Sequence, residues 1–236
     1  SQVQGFMASY CAKGGHIVGK SWVPLGTKDY SSVVSKIPGD IDAVLVVLGG
    51  ADAVNFLTQY EQAGGDKPIV GGTITVDQTV LNYKGKRPQS LVGTPSAGPM
   101  ADSLDTPEWK KFVSDYKANF KDGFPSPSLF AFLYYISTKA ALEGLDAVKG
   151  DLSDGQKKYR AALQKLVVKG PAGDIRIDEN RNGVGTTYIT EVVKNADGSL
   201  ASKVIKSVPN VSQTLGLSKA EFQKMGLGSR DVPNCP

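Results

Sequence analysis

The sequence predicts an α/β fold: a parallel sheet flanked by helices, then a hairpin-rich section, over 236 residues. Three observations carry this. The run Asp42 to Leu48 (DAVLVVL) is almost wholly aliphatic, too short for a helix and too apolar for a half-exposed strand. It fits a strand buried on both faces, as parallel sheets require. Strand-like and helical runs alternate with short connections up to Thr94, the pattern of β-α-β crossovers. After Gly170 the pattern becomes alternating strands separated by Asn182-Gly183 and Asp197-Gly198, both strong hairpin signals.

Taken in order, Val3 to Lys13 places Phe6, Met7 and Tyr10 at helical spacing and stops at Gly14-Gly15. His16 to Leu25 alternates as a strand. Asp29 and Ser31 are candidate N-caps for the short amphipathic run Val33 to Ile37, which Pro38 and Gly39 end. Beyond the 42–48 strand and Gly49-Gly50, Ala51 to Ala63 reads as a helix with Phe56, Leu57 and Tyr60 on its inner face. Gly64-Gly65 ends it. Pro68 to Thr75 is the next strand, Val76 to Tyr83 a short helix, and Ser90 to Thr94 another strand. Pro95, Gly98 and Pro99 mark a crossing. Three helices follow: Pro107 to Phe120, Ser128 to Val148, and Gln156 to Val168. The second is apolar on almost every side, from Leu129 and Phe130 to Leu145, and calls for cover on all of them. Asp174 to Asp178, Thr186 to Val193 and Ser202 to Val208 alternate as strands. No internal repeat or low-complexity segment stands out.

Composition excludes several function classes. Apolar residues make 40% and charged residues 21% of the chain, ordinary for a globular protein. No apolar run is long enough to span a bilayer, so no membrane insertion is expected. The net charge of +4 is spread among acidic residues without a basic stripe, which gives nucleic-acid binding no support. His16 is the only histidine and no CxxC exists, so no metal site is expected. Asp178 to Gly183 matches the first half of a calcium loop, but Ile189 stands where a bidentate Glu is needed; a hairpin turn fits better. The glycine pairs lack dinucleotide spacing and no Walker lysine follows, so no cofactor is expected. No GxSxG elbow or carboxylate pair appears, and the chain reads as a binding module, not an enzyme. Asn210-Val211-Ser212 is a glycosylation sequon with meaning only in a eukaryotic secretory context. Cys11 and Cys235 fit either two buried thiols or one long-range bridge; the polar, Pro-rich surroundings of Cys235 favour the bridge.

Two segments are candidate ligand-binding sites. Gly49, Gly50, Ala51 and Asp52 join a buried strand to a helix, where free backbone N–H groups and the positive helix end suit an anion. From these residues alone a plain tight turn, with Asp52 complementing the helix dipole, is the leading reading. Gly72, Thr73, Ile74 and Thr75, after Gly71, lie at the end of the next strand, hence at the same sheet edge. Glycine lets a ligand approach the backbone there and the hydroxyls offer hydrogen bonds; simple strand-end punctuation is the other reading.

The ordered set GFMASYCAKGGHIVGKSWVPLGTKDYSSVVSKI, DAVLVVLGGADAVNFLTQYEQAG and PIVGGTITVD resembles the second half of type I periplasmic binding proteins, in the leucine/isoleucine/valine-binding-like branch. The later SLFAFLYYISTKAALEGLDAV, GPAGDIRIDENRNG and SRDVPNCP are similar in order and spacing. The resemblance implies a Rossmann-like lobe of a two-lobed clamp that closes on a small-molecule solute. It implies an extracytoplasmic, periplasmic solute-binding component of a branched-chain amino-acid-type ABC importer, working with the permease subunits. Residues 1–94 would form the second lobe, 95–169 would belong with the first, and 170–236 would return through the hinge. The first-lobe sheet and the secretion signal would lie outside this chain, making it a fragment. Ala51 and Asp52 fall where amino-acid binders of the family often place an aromatic side chain, and Thr73 where they often place a glutamate for the ligand's ammonium. Loss of that charge partner would cost an amino acid about 2–4 kcal/mol, which favours an aromatic or aliphatic carboxylate. The resemblance puts Cys11 and Cys235 on one lobe and implies their disulfide. A sensing receptor of the same fold and an α/β enzyme are the alternatives.

Overall fold

The computed structural model describes residues 2–83, 88–214 and 216–226. The described residues form two compact units: those of 2–97 with Glu191–Ser202 and 217–226, and Gly98–Thr190 with those of 203–216.

In the first unit, α1 (Gln2–Cys11), α2 (Ser31–Val34), β1 (Val44–Val46), α3 (Gly50–Gln62), β2 (Ile69–Gly71) and α4 (Gln78–Leu81) follow in order, then a 3-10 turn at Gln89–Leu91 and β3 (Pro95–Gly98). β1 and β2 pair in parallel, with Val44 opposite Ile69 and Val46 opposite Gly71. α3 covers them with Ala53, Val54, Phe56, Leu57 and Tyr60, all buried. Tyr30, Ile69, Val80, Leu81 and Leu91 complete this core.

α1 and α3 end by the same local device. Gly14 and Gly64 sit at φ +82° and +74°, the left-handed conformation that glycine adopts without steric cost. The N–H groups of Gly15 and Gly65 then donate to the carbonyls of Tyr10 and Tyr60 at 3.0 and 2.9 Å. Each tyrosine ring lies flat against the second glycine, where a Cβ would come within 2.3–2.4 Å of it. A Tyr followed by a glycine pair four residues on is thus a complete stop signal.

The second unit contains α5 (Pro107–Asn119), α6 (Leu129–Ala147), α7 (Lys157–Lys165), β4 (Val167–Gly170) and β5 (Gly173–Ile177). β6 (Gly183–Lys194) and β7 (Leu200–Val211) run from one unit into the other, and α8 (Lys219–Lys224) lies in the first. The sheet order is β3-β6-β5-β4, with β7 also paired to β6. Thr106 caps α5 by accepting from Trp109 N–H, with Pro107 at the first helical position. Trp109, Phe132, Ile136, Val168 and Ala172 form this unit's core.

The two hairpin turns form as their residues dictate. The Asp178 carboxylate accepts the N–H groups of Asn180 and Asn182 at 2.8 and 2.9 Å, with Arg181 at φ +67°. Asp197 accepts from Ser199 N–H at 2.9 Å and Gly198 takes φ +78°.

Four expectations need correction. Residues 16–25 form no strand: they join no sheet, and Leu25 is 98% exposed. Alternation alone cannot hold a strand whose backbone groups have no ladder partner. Ser90 to Thr94 is likewise not a strand; the 3-10 turn occupies its start and β3 begins at Pro95, where the sequence indicated only a crossing. β2 stops at Gly71, so Thr73 and Thr75 lie in the turn that follows. α6 is covered on one flank only, and Phe130, Tyr134 and Leu142 are 50%, 75% and 60% exposed. A further hairpin went unread: β4 pairs with β5, Gly170 opposite Gly173, around Pro171-Ala172. Cys11 closes α1, whereas Cys235 lies outside the described residues.

Candidate ligand-binding edge

β1 leads through Val47, Leu48 and Gly49 into α3. Gly49 is extended (φ −131°, ψ 162°) and Gly50 turns to φ +51°, so the chain reverses within two residues. A side chain at position 50 would be strained in that left-handed conformation. The first N–H groups of any α-helix have no intrahelical acceptor. At α4, α5, α6 and α8 a side chain from Asp77, Thr106, Ser128 or Ser218 meets one of them. Asp154 does the same for α7, accepting from Lys157 and Lys158 N–H. Gly49 offers α3 no such cap. The start of α3 therefore presents backbone donors, backed by the helix dipole, toward the carboxyl edge of β1.

Asp52, in the first turn of α3, does not cap the helix. Its Oδ2 accepts the N–H of Gly26 at 3.0 Å. The segment after Gly26 is then laced along α3: Asn55 Nδ2 donates to Thr27 O at 3.5 Å, and Gln59 Nε2 to Lys28 O at 2.8 Å. Tyr30 N–H closes the strap on Gln59 Oε1 at 2.6 Å. The Tyr30 hydroxyl is buried; burial first, and the Asp52 charge second, push its pKa up.

The second strand end is held against the first. Gly72 N–H donates to Val46 O at 2.7 Å, continuing the parallel pairing one step past β2. Gly72 is closely approached: a Cβ there would sit 2.8 Å from Gln2 Oε1, which would have to swing away, and a tight 3.1 Å from the Val47 methyls. Ile74 lies over Gly49, 3.3 Å from where its Cβ would be. Thr75 is fully buried. Its Oγ1 lies 2.8 Å from both Val46 O and Leu48 O and accepts from Leu48 N–H at 3.2 Å. Thr73 is half-buried, and its Oγ1 donates to Ala97 O at 2.5 Å.

The structure thus brings Gly49, Gly50, Ala51, Asp52, Gly72, Thr73, Ile74 and Thr75 to one edge, with distinct duties. Gly50 and Ala51 offer N–H donors, Thr73 a partly open hydroxyl, Ile74 an apolar cover, and Thr75 a buried brace for Leu48-Gly49. Sequence reasoning missed Gln2, Gly26 and Ala97, whose partners lie 24 or more residues away. Among the described residues no His, Cys, Asp and Glu cluster is arranged to hold a metal ion, and no helix is long and apolar enough to cross a membrane.

A parallel strand pair followed by helices, with glycine-rich turns at its carboxyl edge, is a Rossmann-like ligand-binding architecture. The chain belongs to the periplasmic binding protein family, whose family model matches residues 1–198. It is similar to a Leu/Ile/Val-binding protein homolog of Brucella melitensis, at 25% identity over 214 residues. That match covers 86% of this chain and 52% of the relative, so the chain spans about half the length of the curated relatives it matches. Among solved structures, an ABC transporter substrate-binding protein from Sphaerobacter thermophilus superposes with a TM-score of 0.76 at 28% identity, covering 87% of this chain and 56% of that one. A solute-binding protein of an ABC transporter from Rhodopseudomonas palustris, in complex with 3,4-dihydroxybenzoic acid, superposes with a TM-score of 0.78 at 25% identity, covering 88% and 56%.

Proposed function

We propose that the protein is the extracytoplasmic solute-binding component of a branched-chain amino-acid-type ABC importer, taking a small carboxylate with aromatic acids ahead of α-amino acids. The observation that carries this reading is the uncapped start of α3 beside a strand end that bears Thr73 instead of an acidic residue. The carboxylate of the solute takes the N–H groups of Gly50 and Ala51, where the helix dipole favours negative charge. Ile74 supplies apolar surface for a ring, and Thr75 holds Leu48-Gly49 in place without touching the solute. An ammonium group meets no carboxylate at position 73, which costs an amino acid affinity. Family membership and the aromatic acid named with the Rhodopseudomonas protein support the reading.

In the same reading residues 1–94 belong to the gripping lobe, residues 95–169 to the other lobe, and residues 170–236 to the hinge return. The solute leaves the protein unchanged and is handed to the permease subunits, so no catalytic group is required. The Cys11–Cys235 bridge belongs with the oxidising periplasm.

Calorimetry on the full-length protein tests the assignment. Benzoate and hydroxybenzoates are expected to bind, with leucine weaker by about 30-fold or more, the equivalent of about 2 kcal/mol. Tight leucine binding with no response to aromatic acids would sink it. Thiol titration of the same denatured, unreduced sample should find no free cysteine.

A further inference from the structure

Resting on the solute-binding reading above, we infer that Thr73 selects for a hydrogen-bond donor on the solute, so that the preferred ligands are acids carrying a hydroxyl or amino group remote from the carboxylate. The argument is one of hydrogen-bond direction. A carbonyl oxygen can only accept, so at 2.5 Å from Ala97 O the Thr73 hydroxyl must spend its single proton there. What it turns to a solute is lone pairs alone. Thr75 adds nothing: it is fully buried, and its hydroxyl already donates to a β1-end carbonyl and accepts from Leu48 N–H. The Asp52 carboxylate accepts Gly26 N–H through Oδ2, and its remaining acceptor capacity is what the Asp52→Asn variant below separates from Thr73.

The edge is therefore polarised. Donors stand at Gly50 and Ala51, and an acceptor stands at Thr73. β1 and β2 are direct parallel neighbours, about 4.8 Å apart. The turns that follow them carry these two groups, so in this reading one small acid lies across both turns. An acid with no donor of its own, such as benzoate, satisfies only the first. An acid with an acceptor in place of the donor sets lone pair against lone pair at Thr73. The bond to Ala97 also fixes the hydroxyl's direction before the solute arrives, which makes the choice one of pre-organisation.

The test uses the full-length protein and seven probes: benzoate and its hydroxy, amino and fluoro derivatives at the 3- and 4-positions. Fluorine occupies nearly the space of a hydroxyl and cannot donate. Wild type is expected to bind the better hydroxybenzoate about tenfold more tightly than the matching fluorobenzoate, with the aminobenzoate on the hydroxyl side. In Thr73→Val that ratio should collapse to near unity, whatever happens to absolute affinity, and Thr73→Ser should keep it. A wild-type ratio near one overturns the inference while leaving the solute-binding reading intact, since the acids still bind. A ratio that survives Thr73→Val but falls in Asp52→Asn also overturns it, by moving the acceptor to Asp52. No binding of any acid refutes the underlying reading instead. The wild-type comparison stands alone if Thr73→Val fails to fold.

Discussion

α3 and α6 are closed in opposite places. α3 buries a full flank through Val54, Leu57 and Tyr60 but leaves its N-terminal N–H groups without a side-chain cap. α6 is capped, Ser128 Oγ accepting from Ala131 N–H at 3.2 Å, yet exposes Phe130, Tyr134 and Leu142 along one side. The two openings differ in kind. An open helix end is a small set of directed donors that one anion can satisfy. An open apolar flank is undirected area that a small polar solute cannot satisfy. The proposed solute site accordingly takes the end of α3 and not the side of α6.

The sharpest way to test this contrast is across α6 itself. Phe132 is fully buried against Trp109 and Phe112, with ring centroids 6.4 Å from each. Phe132→Ala should cost about 3–5 kcal/mol, read as a lower denaturant midpoint. A loss below about 1 kcal/mol would mean that the covered flank of α6 is not the core of its unit, and the distinction between its two sides would fail.

Thr75 tests the α3 end. Thr75→Val keeps the shape and removes the brace on Val46 O, Leu48 O and Leu48 N–H. Leaving those buried backbone groups with fewer partners should cost about 1–3 kcal/mol. The Leu48-Gly49 turn also loses its anchor, so solute affinity should fall more than in a variant of equal stability loss far from the edge. Equal losses of affinity in both would show that Thr75 acts only through global stability.

What the sequence disclosed, and what it hid, follows the range of the interactions. The stops at Gly14-Gly15 and Gly64-Gly65 were readable because Tyr and glycine meet within one helical turn. The Asn182 and Asp197 turns were readable for the same reason, whereas of the 42–48 run only Val44–Val46 is strand, held by its partner β2. The failures are non-local. Residues 16–25 alternate like a strand, but only a partner can make them one. β3 starts at Pro95, five residues past the expected Ser90, and it pairs with β6, almost 90 residues on. The glycine pairs announce that the residues of this edge are neighbours, but not the duties of its side chains. That Thr75 braces while Thr73 faces outward depends on carbonyls at Val46, Leu48 and Ala97, which no local pattern announces.

The smallest expected effect lies on the outer side of α6. Tyr134→Ser and Leu142→Ser remove apolar atoms that water already reaches, so each should change stability by no more than about 0.5 kcal/mol. Serine is a somewhat poorer helix former than leucine, and that alone accounts for a few tenths of this. The comparison with Phe132→Ala is internal, because all three residues share one helix and one unfolding transition. A loss above about 1 kcal/mol at Tyr134 would place that ring under cover in solution. α6 would then be closed at both its end and its flank, and the opposition with α3 would reduce to the missing cap at Gly49.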